Sequence, residues 1–341
     1  MPIVPLPERV RAFELDPAMP SGALPIFGEY LDRLGDTANR RLVSGFLLVF
    51  GVAQFLAGAG VALPVGTFAL AGSIEAWWHY RAYAHVPEPR LKREAFRRVD
   101  ITADGVVAAG RTVGVRLPDG RWLRVRLDEA HRLLVAGHRR VWLLGRGPKV
   151  FVGLSGVVRL RRAGIHDAPP PGAVPVPEPA GSGSPRLDPV LTAHRRQLAR
   201  DRRSTAAFLL VLAGFAGWVA LDFPVVGWLA WTFGAGALLG ALAAVVRAIA
   251  HRRPLPADHW TELRAVLDGP VRMSRHGAAR LSGLTMLADG RVVPFRLPKA
   301  DPSMAANIAA TGRLWIAGAP RPGAAKTGLP GYPVLGTVWL G

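Results

Sequence analysis

The chain has 341 residues, a formal net charge of +19 and 50% hydrophobic residues. Its mean hydropathy is positive, +0.22. That length is enough for two or more folded units. The absence of cysteine excludes disulfides, thiolate metal sites and cysteine nucleophiles. Only Lys92, Lys149, Lys299 and Lys326 are lysines, so the positive charge is mostly arginine. Part of that excess follows from the Arg-, Ala-, Gly- and Pro-rich composition typical of a high-GC genome.

Residues 1–41 read as a polar, proline-containing cytoplasmic tail without the basic-then-apolar run of a cleaved signal peptide. Within it, Leu24–Leu34 is either a short amphipathic helix at a membrane surface or part of a loosely ordered tail. Residues 42–80 predict a transmembrane hairpin, with crossings at Leu42–Gly60 and Ala62–Trp78. Arginines flank both outer ends and none lies in the turn, which places the flanks in the cytoplasm. Glu75 is the one ionisable residue inside these crossings and Gln54 the one other strongly polar residue. An ionisable group at membrane depth is a functional candidate. Glu75, however, lies within one turn of Trp78, where it could snorkel or pair with Arg81, and Gln54 could bond a neighbouring helix.

Residues 91–162 predict a small β domain, SH3-like or OB-like in size. Pro118-Asp119-Gly120 marks a hairpin, DEAHRLL a helical turn, and RVWLLG, KVFVGL and GVVRLRR three strands. Residues 166–185 have the Pro/Gly/Ser composition of a linker, and 186–203 predict a basic helix near the membrane. Residues 204–247 then repeat the hairpin pattern, with a turn at Asp222-Phe223-Pro224. A GxxxG pair, Gly236 and Gly240, would permit close helix packing.

Residues 260–341 predict a second small β domain. PDGRWLRVRLDEA (118–130) aligns with ADGRVVPFRLPKA (288–300), GHRRVWLLG (137–145) with GRLWIAG (312–318), and GVVRL (156–160) with GTVWL (336–340). Three matches in one order point to tandem duplication. The expected fold class is membrane α plus β: two transmembrane helical hairpins, each followed by a small cytoplasmic β-barrel or sandwich. Both termini would be cytoplasmic in a multi-pass plasma-membrane protein.

No histidine pair has compact metal-ligand spacing, and neither a dinucleotide nor a P-loop motif is present. GLSG at 153–156 lacks the spacing of a serine elbow, and Pro330 and Pro333 argue against a helix after GAAKTG (323–328). No catalytic constellation, cofactor site or metal site is therefore expected. The basic stretches GRWLRVRL and HRRVWLLGR suit an anionic bilayer surface better than nucleic acid, since cytoplasmic arginines are already explained by topology. Trp122, Trp142, Trp315 and Tyr332 are candidates for contacting a cytoplasmic protein partner, core packing being the alternative for the tryptophans. A homo-oligomer is a further possibility for the GxxxG pair.

With its Arg/Ala/Gly-rich hairpin-plus-barrel plan, and ADGRVVPFRLPKADPSMAANIAATGRLWIAG and GLPGYPVLGTVWL near its end, the chain resembles uncharacterised multi-pass membrane proteins of high-GC actinobacteria. Its architecture is also similar to that of NfeD-like membrane scaffolds, which implies membrane helices joined to an OB-like barrel. These features predict a non-enzymatic scaffold or regulatory protein, with a small channel or transporter using Glu75 and Gln54 as the alternative.

Overall fold

The computed structural model describes residues 10, 12–20, 28, 93–102, 104–180, 183–222, 224–255, 257–274 and 278–341. The first expected hairpin with Glu75 and Gln54, and the segment Leu24–Leu34 apart from Gly28, lie outside the described residues. The described chain falls into a β unit, which holds both β domains and residues 12–20, and a helical unit running from Arg195 to Arg253.

The first β domain contains β1 (Arg97–Asp100), β2 (Val106–Ala109), β3 (Thr112–Arg116), β4 (Trp122–Arg126), helix α1 (Glu129–His138), β5 (Arg140–Leu144), β6 (Lys149–Leu154), β7 (Val157–His166) and β8 (Val174–Pro175). Its sheet order is β1-β5-β6-β7-β4-β3-β2-β8. The second domain contains β9 (Trp260–Leu267), β10 (Arg272–Met273), β11 (Ala279–Met286), β12 (Val292–Ala300), a helix at Pro302–Thr311, β13 (Arg313–Ala317), β14 (Gly323–Gly328) and β15 (Leu335–Leu340). Its order, β9-β13-β14-β15-β12-β11-β10, runs strand for strand as in the first domain.

The aligned sequences adopt matching local structure. Both Asp-Gly-Arg turns place glycine in the left-handed region, Gly120 at φ 84° and Gly290 at φ 82°. In both, aspartate accepts a hydrogen bond from the backbone two residues on, Asp119 from Arg121 at 3.1 Å and Asp289 from Arg291 at 3.0 Å. These are the self-bonding turns that Asp-Gly favours. Each domain's helix follows an aspartate N-cap, Asp128 or Asp301, and ends on a left-handed residue, Arg139 or Gly312.

The domains differ in closure. β9 pairs with both β13 and β11, which closes six strands into a barrel. β1, half as long, pairs only with β5 among the described residues, so the first domain is a half-barrel. Leu123, Leu143 and Leu154 fill the first core, and Phe295, Leu297 and Leu314 the second.

The expected linker is not a free spacer. β8 pairs with β2, the Val176 N–H donates to the Val106 carbonyl at 3.0 Å, and Arg124 donates to the carbonyls of Ala168 and Pro169. Gly114 leaves room for Pro170: a Cβ there would lie 2.6 Å from Pro170 Cδ. Proline and glycine content suits this strap because its shape matches the sheet without needing a core of its own. GAAKTG forms strand β14.

In the helical unit, α2 (Pro189–Asp222) joins the expected basic helix and the following apolar segment into one helix, and α3 (Pro224–Arg252) follows. Both are long and apolar enough to cross a membrane, at Pro189–Leu221 and Ala230–Arg252. Their buried positions are largely alanine: Ala206, Ala213, Ala216 and Ala220 on α2, Ala230, Ala237, Ala241 and Ala244 on α3. A Cβ on Gly234 would sit 3.3 Å from Ala216 Cβ, and one on Gly240 3.1 Å from Leu209 Cδ1. Gly236, the other half of the expected GxxxG pair, has open space beside it instead. The remaining helix, Pro302–Thr311, is α4.

Candidate functional site

Two features of the β unit bring together residues distant in sequence: a buried seam between the domains and a basic face on the first.

The seam centres on α4, which packs against β7. Buried Asn307 accepts a hydrogen bond from the Phe13 N–H at 2.6 Å and donates to the Gly156 carbonyl at 2.9 Å. Ser303 Oγ accepts from the Val158 N–H at 3.2 Å. The Phe13 carbonyl in turn accepts from Gly156 at 2.8 Å, so residues 12–20 are clasped between the two domains. Leu15 fills the space above Gly153, and Glu14 pairs with Arg140 at 2.9 Å. Tyr332 lies over Gly156 and against the His138 ring, with ring centroids 4.8 Å apart. Burial raises the Tyr332 phenol above its ordinary value. Burial first, and Arg140 second, hold the His138 imidazole below its own.

The basic face is built by strand alternation. Val125, Val150 and Ala163 point into the core, so the residues flanking them on β4, β6 and β7 face the other way. Arg124 lies opposite both Gly114 and Gly164, and Gly164 opposite Lys149. Arg126 lies opposite Thr112, and Arg162 opposite Phe151. Apart from Gly114, these residues, together with Arg146, line a cavity of about 890 Å³ whose acidic member is Glu94. Arg162 lies 5.8 Å above the Phe151 ring centroid. Arg126, Arg146 and Lys149 make no ion pair among the described residues. The arrangement can hold an anion; it offers no nucleophile with an adjacent base.

Of the expected partner-contact residues, Trp142 and Trp315 occupy corresponding core positions, 2% and 5% exposed, with indole N–H groups that make no hydrogen bond among the described residues. Tyr332, 4% exposed, is committed to the seam. Burial removes these three from the accessible surface: a large aromatic in a small domain contributes more as core than as rim. Trp122 is half-buried on β4 and lies opposite His166. The structure brings none of these four into one patch.

Sequence reasoning missed Asn307, Asp188 and the β6–β7 half of the basic face. The alternation RWLRVR in β4 already placed Arg124 and Arg126 on one side. The contributions of Lys149 and Arg162 depend on strand order. No group of three or more His, Asp or Glu side chains with metal-ligand geometry occurs among the described residues. No family model, no curated protein and no solved structure matches this chain.

Proposed function

We propose that the protein is an integral membrane scaffold that presents its β unit at the cytoplasmic face and recruits a protein partner there. The observation that carries this reading is the sidedness of α2 and α3. Among the described residues, alanines are inside, whereas thirteen large apolar side chains, among them Leu210, Trp218, Trp228, Trp231, Leu239 and Leu242, are exposed. A helix in the core of a soluble protein buries its large residues. A helix in lipid packs small residues together and turns large ones to the acyl chains. Each large apolar side chain removed from water contributes about 1.5–3 kcal/mol. Thirteen left in water would outweigh a domain's whole stability of about 5–15 kcal/mol.

In this proposal the residues 42–80 form a first hairpin, giving four crossings with both termini in the cytoplasm. The shared strand order and matched turns support an origin by tandem duplication. Basic residues Arg195, Arg196, Arg200, Arg202 and Arg203 before the apolar stretch, and Arg247, Arg252 and Arg253 after it, support the cytoplasmic assignment. Resistance to alkaline carbonate extraction, with a C-terminal reporter active only in the cytoplasm, is the expected result. A reporter active only outside the cell overturns the topology.

The second reading is a small channel or proton-coupled transporter using Glu75 and Gln54, favoured only by the single acid within the first expected hairpin. Glu75→Ala separates the two: a scaffold keeps recruiting its partner, whereas a proton-coupled path stops.

A further inference from the structure

We propose that the basic cavity of the first β domain binds the phosphorylated headgroup of an anionic lipid. The proposal rests on the membrane reading above for the source of the headgroup, but the site itself is argued from the β domain.

Five cationic side chains, Arg124, Arg126, Arg146, Lys149 and Arg162, converge on one cavity with a single carboxylate, Glu94, in its lining. Gathering like charges around one cavity costs Coulomb energy unless an anion lies between them. The topology does not require the charges at 124 and 149. Counted from the shared Asp-Gly-Arg turn, Arg124 corresponds to Pro294, and the strand start at Lys149 corresponds to Gly323 in β14, whereas Arg126 has a counterpart in Arg296. The same fold is thus built in the second domain with only part of this charge. Gly164, opposite both Arg124 and Lys149, puts no side chain between them, though His166 fills part of that space, and Gly114 on the other side of Arg124 makes room for Pro170.

A phosphomonoester carries about −1.5 to −2 charges and three acceptor oxygens, which match several donors at once. Guanidinium forks bind such groups in bidentate fashion. A volume of about 890 Å³ accommodates a discrete headgroup. Single-stranded nucleic acid fits less well, because it needs exposed aromatic platforms for its bases. Phe151 is buried beneath Arg162, and Trp122 does not line the cavity.

The test uses the full chain in detergent and a fluorescent dioctanoyl phosphatidylinositol phosphate, read by anisotropy. Saturable binding that weakens with salt, and that inositol bisphosphate displaces more effectively than inorganic phosphate, is expected. Arg126→Ala with Lys149→Ala should weaken it at least tenfold; Arg126→Lys with Lys149→Arg should retain most of it. Arg291→Ala, which removes an exposed charge from the second domain, should leave it unchanged. Absence of binding, equal loss with Arg291→Ala, or tighter binding of a single-stranded oligonucleotide than of the lipid overturns the proposal. Headgroup binding by a chain that carbonate extracts supports the site while overturning the membrane-spanning reading. A carbonate-resistant chain that binds no headgroup overturns the site alone.

Discussion

The Gly331 N–H donates to Asp188 Oδ2 at 2.7 Å, across 143 positions of sequence. The other oxygen of the same carboxylate accepts from the Leu191 N–H at 3.0 Å and so caps α2. One side chain, 1% exposed, therefore fixes both the start of a helix and a loop of the second β domain. Asp188→Ala removes the acceptor for these backbone donors and is expected to cost about 1–3 kcal/mol. Thermal unfolding of the detergent-solubilised chain measures it. An unchanged midpoint would show that the loop holds itself.

Asp188 also makes stability depend on pH. Burial pushes its carboxyl above the ordinary value of 3.8, against hydrogen bonds from Leu191, Gly331 and Val190 that pull it down. A raised carboxyl binds its proton more tightly in the folded chain. That stabilisation is complete below pH 3.8 and is lost as pH rises through the folded value. Wild type should therefore lose stability relative to Asp188→Asn as pH rises through that range. Paired denaturant titrations at stepped pH reveal the difference; curves that stay parallel would contradict it.

Asp128 has the opposite sign. Burial acts to raise its carboxyl, but the His131 side-chain hydrogen bond at 2.7 Å, the charge interaction with His131 and the His131 N–H hold it well below the ordinary 3.8. Its contribution is complete above pH 3.8 and is lost as pH falls through the folded value. Asp128→Asn should flatten the acid limb of the stability profile while lowering stability at neutral pH. An acid limb of unchanged slope would remove Asp128 from the explanation.

Gly156 and Tyr332 should be energetically coupled. Gly156 has φ 68°, and a Cβ there would lie 2.6 Å from Tyr332 Cδ1. Gly156→Ala combines left-handed strain of about 1–2 kcal/mol with overpacking of about 1–3 kcal/mol. Tyr332→Ala relieves only the second part. A double-mutant cycle should return a coupling of about 0.5–3 kcal/mol. Additive costs would mean that the ring moves aside freely.

Asn307→Ala removes an acceptor from Phe13 and a donor from Gly156 in the buried seam, with an expected cost of about 2–4 kcal/mol. Because residues 12–20 are held there, protease cleavage near Phe13 should accelerate in the variant. Wild-type cleavage rates would show that Leu15 alone retains the segment.

Local chemistry made much of the fold legible in the sequence. The two Asp-Gly-Arg turns, the strands RVWLLG and KVFVGL, and the apolar run after Ser204 declare themselves through turn residues and hydrophobic pattern. DEAHRLL announces only a turn of α1, and α4 goes unnoticed because PSMAANIAAT has little amphipathic contrast. The described part of the strap, 166–180, has a linker's composition because it is held by backbone bonds to β2, by Arg124 and by packing of Pro170 over Gly114, which composition does not register. The seam joins Phe13, Gly156 and Asn307 over separations of up to 294 residues, beyond any local pattern. Half of the basic face was visible as alternation in β4; the other half depends on β7 lying between β4 and β6.

Closure of one domain and not the other has a dynamic consequence. In the closed ring β9 bonds β13 along Trp260–Arg264 and β11 along Arg264–Leu267, so both of its halves are tied into the sheet. Its amides should exchange with deuterium more slowly than those of β1, since opening either half breaks the ring. β1, bonded on one side among the described residues, should exchange through small local openings. The first domain is thus the softer half of a stiff pair, and the half that carries the basic cavity is the one with freedom to adjust around what enters it.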